Sequence, residues 1–127
     1  MQQRMDKRRV RVFRDKLLGR RESLVGQVQE AELYSRERDS EATQDPADMA
    51  SETFERAKDL SILIGMAAKI ADIERALERL AAGTYGVCEA CGQPIGEDLL
   101  EAWPAARFCR TDQARSERRI ASVSRMA

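Results

Sequence analysis

Histidine is absent from this 127-residue chain, and aromatic residues make up only 5% of it. Without an imidazole there is no nucleophile–His pair, no His general base and no His metal ligand. No Gly-rich loop of the kind that cradles phosphates is present, nor the HxE motif of zinc deaminases. These absences point away from an enzyme. No run approaches the roughly 20 apolar residues of a membrane span, and the basic start at Arg4, Lys7, Arg8 and Arg9 is not followed by the apolar segment of a signal peptide. A cytoplasmic protein without membrane contact is expected. Net charge is zero, with 22 basic and 22 acidic residues. That removes the simplest route to nonspecific nucleic-acid binding, which needs an excess of Lys and Arg.

What is present is charged helix. Apolar residues reach 43% and charged ones 35%, a balance that suits a narrow seam between helices better than a thick core. Charge is unevenly placed: residues 1–21 carry nine basic and two acidic side chains, residues 22–60 four and eleven, and residues 61–127 nine of each. An acidic middle therefore follows a basic start.

From about Val10 to Ser35 there is no proline and a well-placed break at Gly26, and Val10, Phe13, Leu17, Leu24, Val28 and Ala31 form one helical stripe, weakened near Arg20 and Arg21. Ser35 to Gln44 is almost wholly polar and reads as fraying helix and loop. Asp45-Pro46 then restarts a helix, because Asp at the N-cap accepts an orphan backbone N–H and proline fits the first helical position. The second helix should run from Pro46 to about Ala82. Leu63, Met66, Ile70, Ile73, Leu77 and Leu80 alternate by three and four, the heptad rhythm of a helix that docks along one seam. The expected fold is mainly α: a long antiparallel helical hairpin (coiled coil), on the order of 50 Å long at ~1.5 Å per residue, with a small zinc-finger-like head and a C-terminal helix. Residues 1–83 would form the hairpin, its acidic tip near 45–50, and residues 84–127 the head. Tyr85, Gly86, Gly92, Pro94, Gly96 and Pro104 break helical periodicity in the head, as turns and short strands would. A last helix is expected from about Asp112 to Val123, with Arg115, Arg118 and Arg119 as a basic face.

Cys88 and Cys91 form a CxxC, and Cys109 follows after seventeen residues. A CxxC knuckle brings two thiolates onto one ion, and a second CxxC at this distance completes a four-thiolate zinc site. Here its last position is Asp112, so the donors are Cys88, Cys91, Cys109 and Asp112, a set that can hold one Zn2+ although it is less soft than four thiolates. Two other readings of the cysteines stay open: small residues packed in a finger that no longer binds metal, or a thiol pair that senses oxidants.

The run from Tyr85 through Cys88, Cys91, Gly92 and Pro94 to Gly96, then Leu100-Glu101-Ala102-Trp103-Pro104-Ala105 and Cys109, resembles the zinc-finger signature of the DksA/TraR family. Upstream, Asp45, Asp48 and Ala50 fall where that family carries its DxxDxA tip motif. Asp112 departs from the family's fourth cysteine, and Leu99 and Trp103 stand where arginine is common. The resemblance implies a transcription regulator that binds RNA polymerase through its secondary channel, places its tip acids near the catalytic centre and changes promoter-complex stability. It also implies a monomer with no sequence-specific DNA binding of its own. Family members share a ppGpp site with polymerase; the matching positions here are Lys69, Asp72, Trp103 and Gln113, only one of them basic, so little ppGpp dependence is expected. The alternative function is a nucleic-acid-binding zinc ribbon, using the basic start and Arg115, Arg118 and Arg119, or a thiol redox-sensing adaptor.

Overall fold

The computed structural model describes residues 6–40 and 45–126. Among these residues four helices follow one another: α1 (Lys7–Ser40), α2 (Pro46–Ala82), α3 (Glu97–Ala102) and α4 (Arg110–Met126). Among the described residues the sole β pairing is an isolated antiparallel bridge between Val87 and Pro94. Among the described residues no helix is long and apolar enough to cross a membrane.

Both long helices start on an aspartate. Asp6 Oδ1 accepts the backbone N–H of Arg9 at 2.8 Å, and Asp45 Oδ1 accepts that of Ala47 at 2.9 Å, with Pro46 in the first helical position. Each satisfies a donor that the first turn would otherwise leave unpaired. At its other end α2 stops at Gly83, whose φ of 79° suits a residue without Cβ. There the N–H of Thr84 bonds the carbonyl of Arg79 and that of Gly83 bonds Leu80, the paired closure of a Schellman motif.

The chain divides into two compact units, residues 1–18 with 72–127, and residues 19–71. The first, called the head unit below, has a true core: Phe13, Leu17, Ile73, Ala76, Leu80, Tyr85, Cys88, Ile95, Leu100 and Ala105 are buried there. The Phe13 and Tyr85 rings lie 5.5 Å apart in a tilted arrangement, and the Tyr85 hydroxyl donates to the Pro104 carbonyl at 2.7 Å. Arg9 pairs with Glu97, tying α1 to α3.

The second unit, the arm, is an antiparallel pair formed by the rest of α1 and α2. Arg38, in the last turn of α1, meets Glu55 and Asp59 of α2. The heptad positions Leu63, Met66 and Ile70 on α2, and Leu24, Val28 and Ala31 on α1, are its less exposed residues, as the spacing requires.

Three expectations are corrected. The polar stretch after Ser35 is helical through Ser40, because Arg36, Glu37 and Arg38 are good helix formers and Arg38 gains partners across the pair; residues 41–44 lie outside the described ones. The head contains a short helix, α3, where turns and strands were expected, and only the single bridge of strand character. The last helix begins at Arg110, two residues early, since the N–H of Gln113 already bonds the carbonyl of Cys109 at 2.8 Å.

Candidate metal centre

The CxxC sits in a tight antiparallel knuckle. Cys88 donates its N–H to the Gln93 carbonyl at 2.8 Å, Gly92 donates back to the Cys88 carbonyl at 3.0 Å, and Ile95 donates to Gly86 at 2.8 Å. Gly92 turns the chain at φ 76°, which a side chain would resist. The second pair of donors comes from the start of α4: the Cys109 carbonyl accepts its first helical bond, and Asp112 lies three residues on. Spacing by three puts both side chains on one helix face. A backbone bond from Glu89 to the Arg107 carbonyl at 2.9 Å fastens the knuckle to the strand of chain entering α4.

One ligand atom from each of Cys88, Cys91, Cys109 and Asp112 lies within 4.8 Å of the other three. The Cys91 and Cys109 sulfurs are 3.8 Å apart, the edge of a tetrahedron whose metal–sulfur bonds are about 2.3 Å. Asp112 Oδ2 accepts from Cys88 Sγ at 3.2 Å and from Cys109 Sγ at 3.1 Å. These bonds from Cys109, Cys91 and Cys88 hold the Asp112 carboxyl below its usual range. Burial works against ionisation of Cys88, but backbone N–H groups of Cys109 and Cys91 outweigh it and draw that thiol down. For Cys91 a backbone donor from Gln93 favours the thiolate, yet the Asp112 carboxylate, burial and the other two thiols push it up to about 12. Deprotonated together, these donors would repel one another at one point. A divalent cation resolves that conflict, and the donor chemistry suits zinc.

Around this centre is a charge cluster that sequence reasoning missed. Glu89, between the two CxxC cysteines, accepts from Arg75 Nε at 2.5 Å, from Arg107 Nε at 2.9 Å and from Arg79 Nη1 at 3.4 Å. Burial raises the Glu89 carboxyl, but the Arg75 and Arg107 bonds and charges prevail and hold it low. Arg79 also donates to the Thr84 and Val87 carbonyls at 2.9 and 2.6 Å. One side of α2 is thereby bonded to the knuckle. The only clue in the sequence was Arg75 and Arg79 one helical turn apart.

The tip residues are placed separately. Asp45, Asp48 and Ala50 all lie in or beside the first turn of α2, and all are exposed. Of the positions matched to a ppGpp site, Asp72 lies 3.8 Å from Arg107, Trp103 is exposed at the end of α3, and Gln113 donates to Glu117.

The prokaryotic dksA/traR C4-type zinc finger matches residues 83–118. The chain is similar to the RNA polymerase-binding transcription factor DksA of Caulobacter vibrioides, 36% identical over 115 residues that make up 91% of this chain and 80% of that one. A shorter similarity, 41% identity over 61 residues, covers 48% of this chain and 26% of the uncharacterized protein YteA of Bacillus subtilis. Among solved structures, transcription factor DksA2 from Pseudomonas aeruginosa superposes with a TM-score of 0.76 at 35% identity, over 91% of this chain and 88% of that one. A Chlamydia trachomatis RNA polymerase binding protein shares the fold at a TM-score of 0.53 and 19% identity. The finger match and the donor cluster together make the head zinc-binding, with a carboxylate where a C4 finger has its fourth thiolate.

Proposed function

The chain belongs to the DksA/TraR family, and on that premise we propose that it is an RNA polymerase-binding transcription factor whose arm enters the secondary channel of the enzyme. It performs no chemistry of its own. Residues 1–83 act as the probe and residues 84–127 as the head, which Zn2+ held by Cys88, Cys91, Cys109 and Asp112 would brace through bonds to knuckle and helix alike. At the tip, Asp45 caps α2, Asp48 meets the cation-rich catalytic centre, and Ala50 leaves room for close approach of polymerase backbone. Their effect is to lower the stability of promoter complexes. The protein acts as a monomer in the cytoplasm and reads no DNA sequence itself.

The observation that carries this reading is the exposure of Asp48 and Ala50 in the first turn of a helix already capped by Asp45. Because Asp45 has a capping role, Asp48 is the acid left for polymerase. Asp48→Asn should keep polymerase binding and abolish the change in promoter-complex lifetime, measured in vitro on a ribosomal-RNA-type promoter; a retained effect removes the tip from the mechanism. Lys69 stands alone as a cation among Lys69, Asp72, Trp103 and Gln113, which supports action with little need of ppGpp.

A further inference from the structure

The four metal donors arrive on two separate pieces of chain. Cys88 and Cys91 belong to the knuckle, Cys109 and Asp112 to the start of α4, and seventeen residues lie between Cys91 and Cys109. Glu89, between the first two donors, joins the pieces twice. Its N–H donates to the Arg107 carbonyl at 2.9 Å, and its carboxylate Oε2 accepts from Arg107 Nε at 2.9 Å. Arg107 is two residues before Cys109. Main chain and side chain therefore close a ring between residues 89 and 107, with a metal donor beside it on each piece. The two carboxylate oxygens divide their work: Oε1 faces Arg75 and Arg79 of α2, at 2.5 and 3.4 Å, and Oε2 faces Arg107. This carboxylate is largely enclosed, with 14% of the side chain exposed.

Glu89 is not one of the clustered donors, so it acts on the ion only through what it holds. What it holds is spacing. The Cys91 and Cys109 sulfurs, one from each piece, are 3.8 Å apart, and metal–sulfur bonds of about 2.3 Å leave little latitude around that value. The neighbouring contacts do other things. Asp72 is 3.8 Å from Arg107, beyond hydrogen-bond reach. Arg79 bonds the Thr84 and Val87 carbonyls, which fastens α2 to the knuckle but does not involve the approach to α4. Tyr85 bonds that approach at Pro104, farther from Cys109 than Arg107 is. Groups outside the ligand set that orient the ligands commonly govern how tightly an ion is held.

We infer that Glu89 is a positioning residue of the metal centre: through its pair with Arg107 it holds the Cys88–Cys91 and Cys109–Asp112 donor pairs at ligating distance. The inference rests on zinc binding by the head, and a wild-type chain that takes up neither zinc nor cobalt overturns both. Glu89→Gln should weaken zinc binding about tenfold in competition with a chromophoric chelator; the main-chain bond to Arg107 persists and keeps the loss partial. Arg107→Gln should match it, and the double variant should lose little more than either alone, since both remove one contact. Arg75→Gln removes a contact to α2 and leaves the Arg107 pair, so its zinc affinity should stay within about threefold of wild type. Cobalt bound in place of zinc reports donor geometry: its visible bands should shift in Glu89→Gln and Arg107→Gln but not in Arg75→Gln. A general weakening of the head would lower affinity and leave the bands alike. Unchanged zinc affinity in Glu89→Gln, or losses that add to about a hundredfold in the double variant, overturns the pairing. Unshifted cobalt bands, or an Arg75→Gln variant as impaired as Arg107→Gln, overturns the positioning role. Arg107→Lys keeps charge without the directed Nε bond and should fall between wild type and Arg107→Gln. If glutamine at either position prevents folding, Arg107→Lys carries the test, and wild-type affinity and bands in that variant overturn the inference.

Discussion

Every buried apolar side chain of the described residues lies in the head unit and none in residues 19–71, although α1 and α2 supply both units. Leu17 is fully buried, while Leu60 and Ile64 of the arm are 58% and 61% exposed. Two helices alone cover one stripe of each other and leave the remaining faces to solvent. The head adds the knuckle, α3 and the turn after it, which bring Tyr85, Cys88, Ile95, Leu100 and Ala105 into the core. Stability is therefore concentrated in the unit that carries the metal donors, and the unit that carries the tip acids has little of its own to lose. A surface proposed to fit inside another molecule can be made this way, since its shape need not serve a core.

The largest expected effect tests whether metal is part of that concentration. Chelation should strip the head of amide protection across residues 84–112, because structural zinc contributes on the order of 10 kcal/mol in small fingers. Protein purified without chelator should hold one zinc per chain by mass spectrometry; persistence of protection after metal removal would show that packing alone holds the head. Next in size, Leu17→Ala should lower the unfolding free energy by about 3–4 kcal/mol, and Leu60→Ala by about 0.5 kcal/mol or less. Denaturant midpoints compare them directly, and equal losses would erase the contrast between the units. Glu89→Gln, which removes the charge opposite Arg75, Arg79 and Arg107, should cost about 1.5–3 kcal/mol in the same titration. Smallest is the effect of ppGpp, which should leave promoter-complex lifetimes in the presence of this protein unchanged. A large stimulation would mean that cations outside Lys69, Asp72, Trp103 and Gln113 build the nucleotide site.

Much of this was legible in the sequence, and the reasons differ by residue. Phe13, Leu17, Ile73 and Leu80 were readable because a seam repeats and each position reinforces the next. Asp45-Pro46 was readable because capping is local chemistry. The donor quartet followed from cysteine spacing and the family resemblance. Three features were not readable. The last turn of α1 read as fraying helix and loop, since its partners Glu55 and Asp59 are remote in sequence. A six-residue α3 is too short to show a period. Glu89 gathers arginines from α2 and from the approach to α4, and no local pattern announces a meeting of three distant segments.

Asp112 occupies the first turn of α4, at the positive end of the helix, on the same face as Cys109. An anion is welcome there on grounds of helix electrostatics alone, and a thiolate in that turn would be favoured for the same reason. Carboxylate and thiolate are both zinc donors that the start of a helix suits. One oxygen donor makes the set less soft than four thiolates, so the residue at this corner bears on how tightly an ion would be held.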